Sequence, residues 1–273
     1  MFIVTSVIWD VPELAERYDR VSDMQFKSGS ILAGRMNIKE GEAVLDVGCG
    51  TGRLALHVAD VVGPSGSVTG LDPSPHRIKV ANSKLKSFAG ENVRFMVGQG
   101  EDLFGIPDDA FDHVYFSSVF HWIDDKSAAL KEAMRVLKPG GNIGITTVDR
   151  DFPFDMKKIM EKIFSKKMYA GQINMEEDIM KLVNIKELRE LFEDAGLHCI
   201  NIDAVTENHY FPSAEEMIGF MEASSFGNFL CFMPEGLREN AREDIRKELE
   251  ERRTKQGIEL LSNTVYAIAS KPC

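Results

Sequence analysis

The chain has 273 residues, of which 44% are hydrophobic and 27% charged, and its formal charge is −11. That length allows one or two domains with a sizeable core and excludes a disulfide-stapled miniprotein, and no window approaches the roughly 18 consecutive apolar residues of a membrane span. An acidic balance with no run of Lys or Arg lacks the electrostatic footprint of a nucleic-acid binder, so a small-molecule partner is favoured.

In chain order, Met1 to Trp9 is apolar but short and lacks a basic n-region, so it does not read as a signal peptide and a cytoplasmic location is expected. The four cysteines are far apart with no C-x-x-C pair, so neither a disulfide framework nor a metal site is expected. Residues 1–40 read as an N-terminal helical segment. Residues 41–150 alternate short apolar runs with amphipathic stretches, the signature of βαβ units. The spacing predicts strands at 43–48, 67–71, 92–97, 111–118 and 141–148, with helices at 52–62, 74–89 and 125–137. Ser74 is the expected N-cap of the second helix with Pro75 at its first position, and Pro139-Gly140-Gly141 is expected to break the chain before the fifth strand.

After residue 150 the texture changes to Lys- and Met-rich helical sequence over 155–181, read as an insertion spanning 151–183. Asn184 with Glu187 three residues on resembles a capping box, and Gly196 supplies a stop, giving a helix at 184–195. Residues 184–273 then complete a sheet: a strand over 197–211, helices at 213–224 and 235–255, and a last strand at 263–270, the two late strands antiparallel. The helix 235–255 places Leu237, Ala241, Ile245 and Leu249 on one face and pairs Glu243 with Lys247 and Glu248 with Arg252 at four-residue spacing.

The most informative segment is Val44-Leu45-Asp46-Val47-Gly48-Cys49-Gly50-Thr51-Gly52, an apolar strand running into a glycine turn that opens a helix. Glycines let the backbone approach a ligand, and the helix start presents unpaired N–H groups, as in nucleotide-cofactor turns. The pattern is G-x-G-x-G, one residue tighter than the dinucleotide G-x-G-x-x-G, and Asp46 precedes it. A carboxylate there repels a pyrophosphate and attracts an ammonium group. Asp72, 20 residues beyond Gly52 at the end of the second strand, is placed to accept ribose hydroxyls, which dinucleotide and other nucleoside cofactors both require.

With Gly70-Leu71-Asp72-Pro73-Ser74, Phe111-Asp112-His113-Val114 and Leu137-Lys138-Pro139-Gly140-Gly141, this segment resembles the class I S-adenosylmethionine-dependent methyltransferases, four motifs in order over about 100 residues. The resemblance implies an α/β fold, a Rossmann-like doubly wound seven-stranded sheet of order 3-2-1-4-5-7-6 with strand 7 antiparallel, and S-adenosyl-L-methionine as cofactor. Asp46, Gly48, Gly50 and Gly52 would hold its methionine moiety, Asp72 and Pro73 the ribose, and Tyr18 and Ser117 would join the cofactor site. Where the family has an acidic residue for the adenine, this chain reads Gly98-Gln99-Gly100-Glu101; Gln99 is expected to accept from the adenine amino group without charge, with the Gly100 and Glu101 amides nearby. By the same resemblance, residues 1–40 would cover the cofactor site, and the insertion with helices 212–255 would form a lid over the substrate.

The run Ser117-Ser118-Val119-Phe120-His121-Trp122 follows the fourth strand, where substrate chemistry is expected. With Gln25 it is similar to carboxyl O-methyltransferases such as those acting on trans-aconitate and malonyl-acyl-carrier, in which Trp122 and Gln25 would donate to a substrate carboxylate. His-Trp pairs here also resemble quinone-type C-methyltransferases, so a small-molecule acid, quinone or amine stays open as methyl acceptor. His121 is then either a general base or a hydrogen-bonded wall. Cys49 reads as a packing residue. The rival readings are a non-catalytic S-adenosylmethionine-binding protein and a nicotinamide-dependent dehydrogenase.

Overall fold

The computed structural model describes residues 10–153, 155–169, 171–172, 180–231 and 233–273. The apolar start Met1–Trp9 and positions 173–179 of the helical reading 155–181 lie outside these. The elements are α1 (Pro12–Val21), α2 (Asp23–Arg35), β1 (Ala43–Val47), α3 (Arg53–Val62), β2 (Ser67–Asp72), α4 (Pro75–Lys84), β3 (Val93–Val97), β4 (Phe111–Ser117), α5 (Lys126–Val136), β5 (Leu137–Val148), α6 (Asp155–Phe164), α7 (Ile185–Asp194), β6 (His198–Phe211), α8 (Ala214–Ser224), α9 (Glu235–Glu251) and β7 (Ile258–Ser270). The seven strands form one sheet of order β3-β2-β1-β4-β5-β7-β6, parallel from β3 to β5, with β7 antiparallel to β5. This is the Rossmann-like arrangement that the motifs imply. Among the described residues no helix is long and apolar enough to cross a membrane.

The chain divides into two units. The unit of Ser22–Arg150, Met180–Val205 and Thr264–Cys273 holds most of the sheet, and its strand residues alternate between two apolar layers because successive side chains point to opposite faces. Leu45, Val47, Val114, Phe116, Ile143 and Ile145 meet Ala129, Leu130 and Ala133 of α5 and Leu188 and Phe192 of α7. On the other face Val44, Val68 and Tyr115 meet Leu54, Ala55 and Val58 of α3 and Leu32 and Met36 of α2. In the other unit, α6, α8 and α9 build a separate core from Ile159, Ile163, Met217, Ile218, Ala241, Ile245 and Leu249, closed by the Tyr169 hydroxyl donating to Asp244 at 2.9 Å. The Met-rich stretches thus serve as core, with Met156, Met160, Met217, Met221 and Met233 in this cluster. The two expected pairs on α9 form, Lys247–Glu243 at 3.4 Å and Arg252–Glu248 at 3.1 Å.

Caps fix the helix starts as read. The Ser74 hydroxyl accepts from Arg77 N at 3.1 Å, Asp125 from Ala128 N at 2.9 Å, and Asn184 and Glu187 close a reciprocal capping box. Several boundaries differ; α9 ends at Glu251 rather than 255, and of the helical reading 155–181 the described residues form helix only as far as Phe164. Helix α4 ends at Lys84 rather than 89, where the Ser83 and Ser87 hydroxyls bond the carbonyls of Val80 and Lys84 and compete with helix continuation. Strand β5 begins at Leu137, before Pro139-Gly140-Gly141: Phe111 pairs with Leu137 and His113 with Asn142, so the extra residues bulge out with Gly140 at φ +77°. Asp112 of β4 ties the bulged stretch to the start of β1, accepting from Lys138 Nζ and from Ala43 N at 2.8 Å each. Strand β7 starts at Ile258, five residues before the expected 263, because Ile258 is buried in the helical core.

Candidate active site

The carboxyl ends of β1, β2 and β4 gather most of the motif residues, as expected of an open α/β sheet. Gly48, Gly50 and Gly52 have φ of +77°, +54° and +78°, a left-handed backbone at alternate positions that favours glycine. Gly48 N and Cys49 N donate to Leu71 O at 2.7 and 2.9 Å, which ties the turn to the end of β2. A Cβ on Gly48 would run into the side chain of Val119, the residue that follows β4 by two. The glycine turn is therefore pressed between the second strand and the segment leading to the expected substrate residues.

Asp46 is 1% exposed. Its Oδ2 accepts from the Tyr115 hydroxyl at 2.9 Å, while its Oδ1 is buried and has no hydrogen-bond partner. Burial pushes its carboxyl up to about 8, opposed by the Tyr115 hydrogen bond and reinforced by Asp72. A buried acceptor with no donor costs stability unless a ligand supplies one. An ammonium group is the donor that this oxygen lacks, so the methionine end of S-adenosylmethionine fits the site. Asp72 is buried at 2% exposure and accepts from Gly50 N and Ser74 N at 2.9 Å each, so it braces the turn. Cys49 is buried, and burial with Asp46 and Asp72 pushes its thiol up, consistent with a packing role.

In the loop after β3, where the adenine is expected, Gly98 N donates to Asp72 O at 3.2 Å, which ties that loop to the end of β2. Gln99 is half-buried and Gly100 buried, with Asp102 N donating to Gln99 O at 3.3 Å. The Glu101 carboxylate points the other way and accepts from Asp124 N at 3.1 Å. Pro73 sits between Asp72 and the Ser74 cap, and the half-buried Ser117 ends β4, where a Cβ on Gly29 of α2 would meet its Oγ at 2.7 Å. Gln25 lies half-buried on α2; Tyr18 lies on α1, in the other unit.

Ser118, with φ of +56°, turns the chain out of β4 and donates its N–H to Thr146 Oγ1 at 2.8 Å. A 3-10 turn over Phe120–Trp122 follows. Phe120 is fully buried, His121 is 8% exposed and Trp122 half-buried, with the His121 and Trp122 rings 5.2 Å apart. His121 Nδ1 lies 3.4 Å from Thr147 Oγ1, and burial, then the charge of Lys126, lowers the imidazole to about 4. The imidazole is therefore neutral at physiological pH. Lys126 is itself buried; its Nζ donates to Ile123 O at 2.8 Å and lies 5.5 Å from the Phe120 ring centroid. Tyr115, Val119 and Thr147 were not legible as site residues, because each acts through a neighbour distant in sequence; Lys126 was missed although its partners Ile123 and Phe120 are near it in the chain.

A methyltransferase-domain family model matches residues 38–196, more than half of the chain and all of the strand ends just described. The chain belongs to the class I S-adenosylmethionine-dependent methyltransferases and is an enzyme of that class acting on a small molecule. It is similar to a demethylmenaquinone methyltransferase of Geobacillus kaustophilus, 29% identical over 76% of this chain and 93% of the relative, and to one from Geobacillus sp. strain WCH70, 32% identical over 71% and 89%. Among solved structures it resembles a SAM-dependent methyltransferase from Aquifex aeolicus, with a TM-score of 0.55, 21% identity and coverage of 70% of this chain and 91% of that one.

Proposed function

We propose that the acceptor is a hydroxylated aromatic of the quinol class and that the methyl group goes to a ring carbon. The observation that carries this reading is the uncharged aromatic turn of Phe120, neutral His121 and Trp122 at the end of β4, beside the cofactor turn. The names of the two Geobacillus relatives support it. When bound, S-adenosylmethionine supplies a methyl group on a sulfonium, so a C–C bond forms as the S–C bond breaks and the ring proton is lost. Asp46 balances the ammonium, the glycine turn and Asp72 set the position of the nucleoside, and the aromatic turn excludes water from the transfer path. His121 accepts a hydrogen bond from the acceptor hydroxyl, which orients the ring; with its imidazole lowered to about 4 it is a weak proton sink. Carboxyl O-methylation, the other expectation, would use the Trp122 indole and the Gln25 amide as donors, and the names of the relatives favour the quinol over it.

The test supplies methyl-labelled S-adenosylmethionine with reduced demethylmenaquinone and, separately, with a panel of small carboxylic acids. Label that enters the quinol, withstands mild base and stays in the product after oxidation to the quinone supports C-methylation, since an ether methyl would be lost in that oxidation. Label that enters only an acid and is released by mild base shows an ester and overturns it.

A further inference from the structure

The loop after β3 and the turn after β4 are joined at two points. The Glu101 carboxylate accepts from Asp124 N at 3.1 Å, and Gly100 packs between Val47, Phe116 and Ile123, so closely that a Cβ there would lie 3.0, 3.2 and 3.5 Å from their side chains. The same loop is tied by Gly98 N to the backbone carbonyl of Asp72, at the expected ribose position. The turn is held from its other sides by Lys126 Nζ on Ile123 O and by Lys181 N on His121 O, both at 2.8 Å. Glu101 thus forms a polar link between the segment expected to face the adenine and the segment that carries His121 and Trp122.

We infer that Glu101 is a positioning residue that transmits cofactor occupancy to the acceptor turn: filling the adenine side orders residues 98–103, and Glu101 passes that order to residues 120–125. The acceptor then meets a finished wall only after the cofactor is in place. The inference rests on the cofactor site described above and holds whichever acceptor is used. A carboxylate spent on a neighbouring backbone N–H, in a loop where the family carries a ligand, is explained by this role and not by adenine binding.

The experiment follows backbone hydrogen exchange with and without S-adenosylhomocysteine in the full chain and in Glu101→Ala and Glu101→Gln. In the parent, S-adenosylhomocysteine slows exchange over both 98–103 and 120–125. With S-adenosylhomocysteine at saturation for each protein, in Glu101→Ala the slowing at 98–103 persists and that at 120–125 falls at least about fivefold; Glu101→Gln, which keeps an acceptor oxygen, restores the slowing at 120–125. Equal slowing at 120–125 in parent and Glu101→Ala overturns the inference. So does loss of S-adenosylhomocysteine binding in Glu101→Ala alone, which would make Glu101 a cofactor ligand. Absence of binding in the parent would instead refute the cofactor site itself.

Discussion

Asp46 and His121 are tuned in opposite directions by the same cause. Burial raises the carboxyl and lowers the imidazole, so both tend to be uncharged at neutral pH until a ligand arrives. For His121 the sign is direct: with its folded value near 4, it holds no proton above about pH 5, so kcat/KM shows no limb from it between pH 6 and 8. His121→Gln lowers kcat/KM on a quinol by about 10- to 100-fold, the loss expected of one well-placed hydrogen bond in the transition state, with affinity for S-adenosylhomocysteine unchanged. Trp122→Phe, which keeps the ring, costs less on a quinol; the reverse ranking would favour a carboxylate held by the indole. Asp72→Ala weakens binding of S-adenosylhomocysteine by about 1.5–3 kcal/mol, read by calorimetry on protein whose folding is checked by circular dichroism. Binding within twofold of the parent would reject the ribose assignment. Asp46 and Asp72 could be singled out because each is an acidic residue at the end of an apolar strand, Asp46 just before the glycine turn and Asp72 just before Pro73 and the Ser74 cap. Tyr115 was not: nothing in Phe111–Ser117 says which inward position meets Asp46.

Elements with chemical punctuation were the most legible. Ser74, Asp125 and Asn184 cap as their side chains require, and Asn184→Ala removes one half of a reciprocal box, so it lowers stability by about 1 kcal/mol, seen as a fall in Tm without loss of cofactor binding. Boundaries set by tertiary contacts were not. Pro139-Gly140-Gly141 reads locally as a break, but Leu137 and Asn142 on either side of it pair with Phe111 and His113 of β4, and Asp112 between those two accepts from Lys138. The glycine turn belongs to this scale too. Gly50 sits at φ +54°, where a β-branched residue is strained, so Gly50→Val abolishes S-adenosylhomocysteine binding; full affinity in that variant would mean that the turn is not the cofactor cradle.

At the scale of the whole molecule, the sheet order was legible through the resemblance that the four motifs carry, and the sheet has that order. The identity of the acceptor did not follow, since it depends on which side chains converge after folding. The central claim is that the turn flanked by Asp46 and Asp72 seats the charged end of the cofactor, and it makes a global, measurable demand. Free Asp46 holds its proton up to about pH 8, whereas a bound ammonium needs the carboxylate. Binding must therefore release protons below pH 8, and affinity must rise as pH approaches that value. The measurement is the calorimetric titration of S-adenosylhomocysteine at pH 7 in two buffers of different ionisation enthalpy, in the parent and in Asp46→Asn. The account predicts release of most of one proton in the parent, none attributable to the site in Asp46→Asn, and weaker binding in that variant. Equal affinity and equal proton release in the two proteins would contradict it.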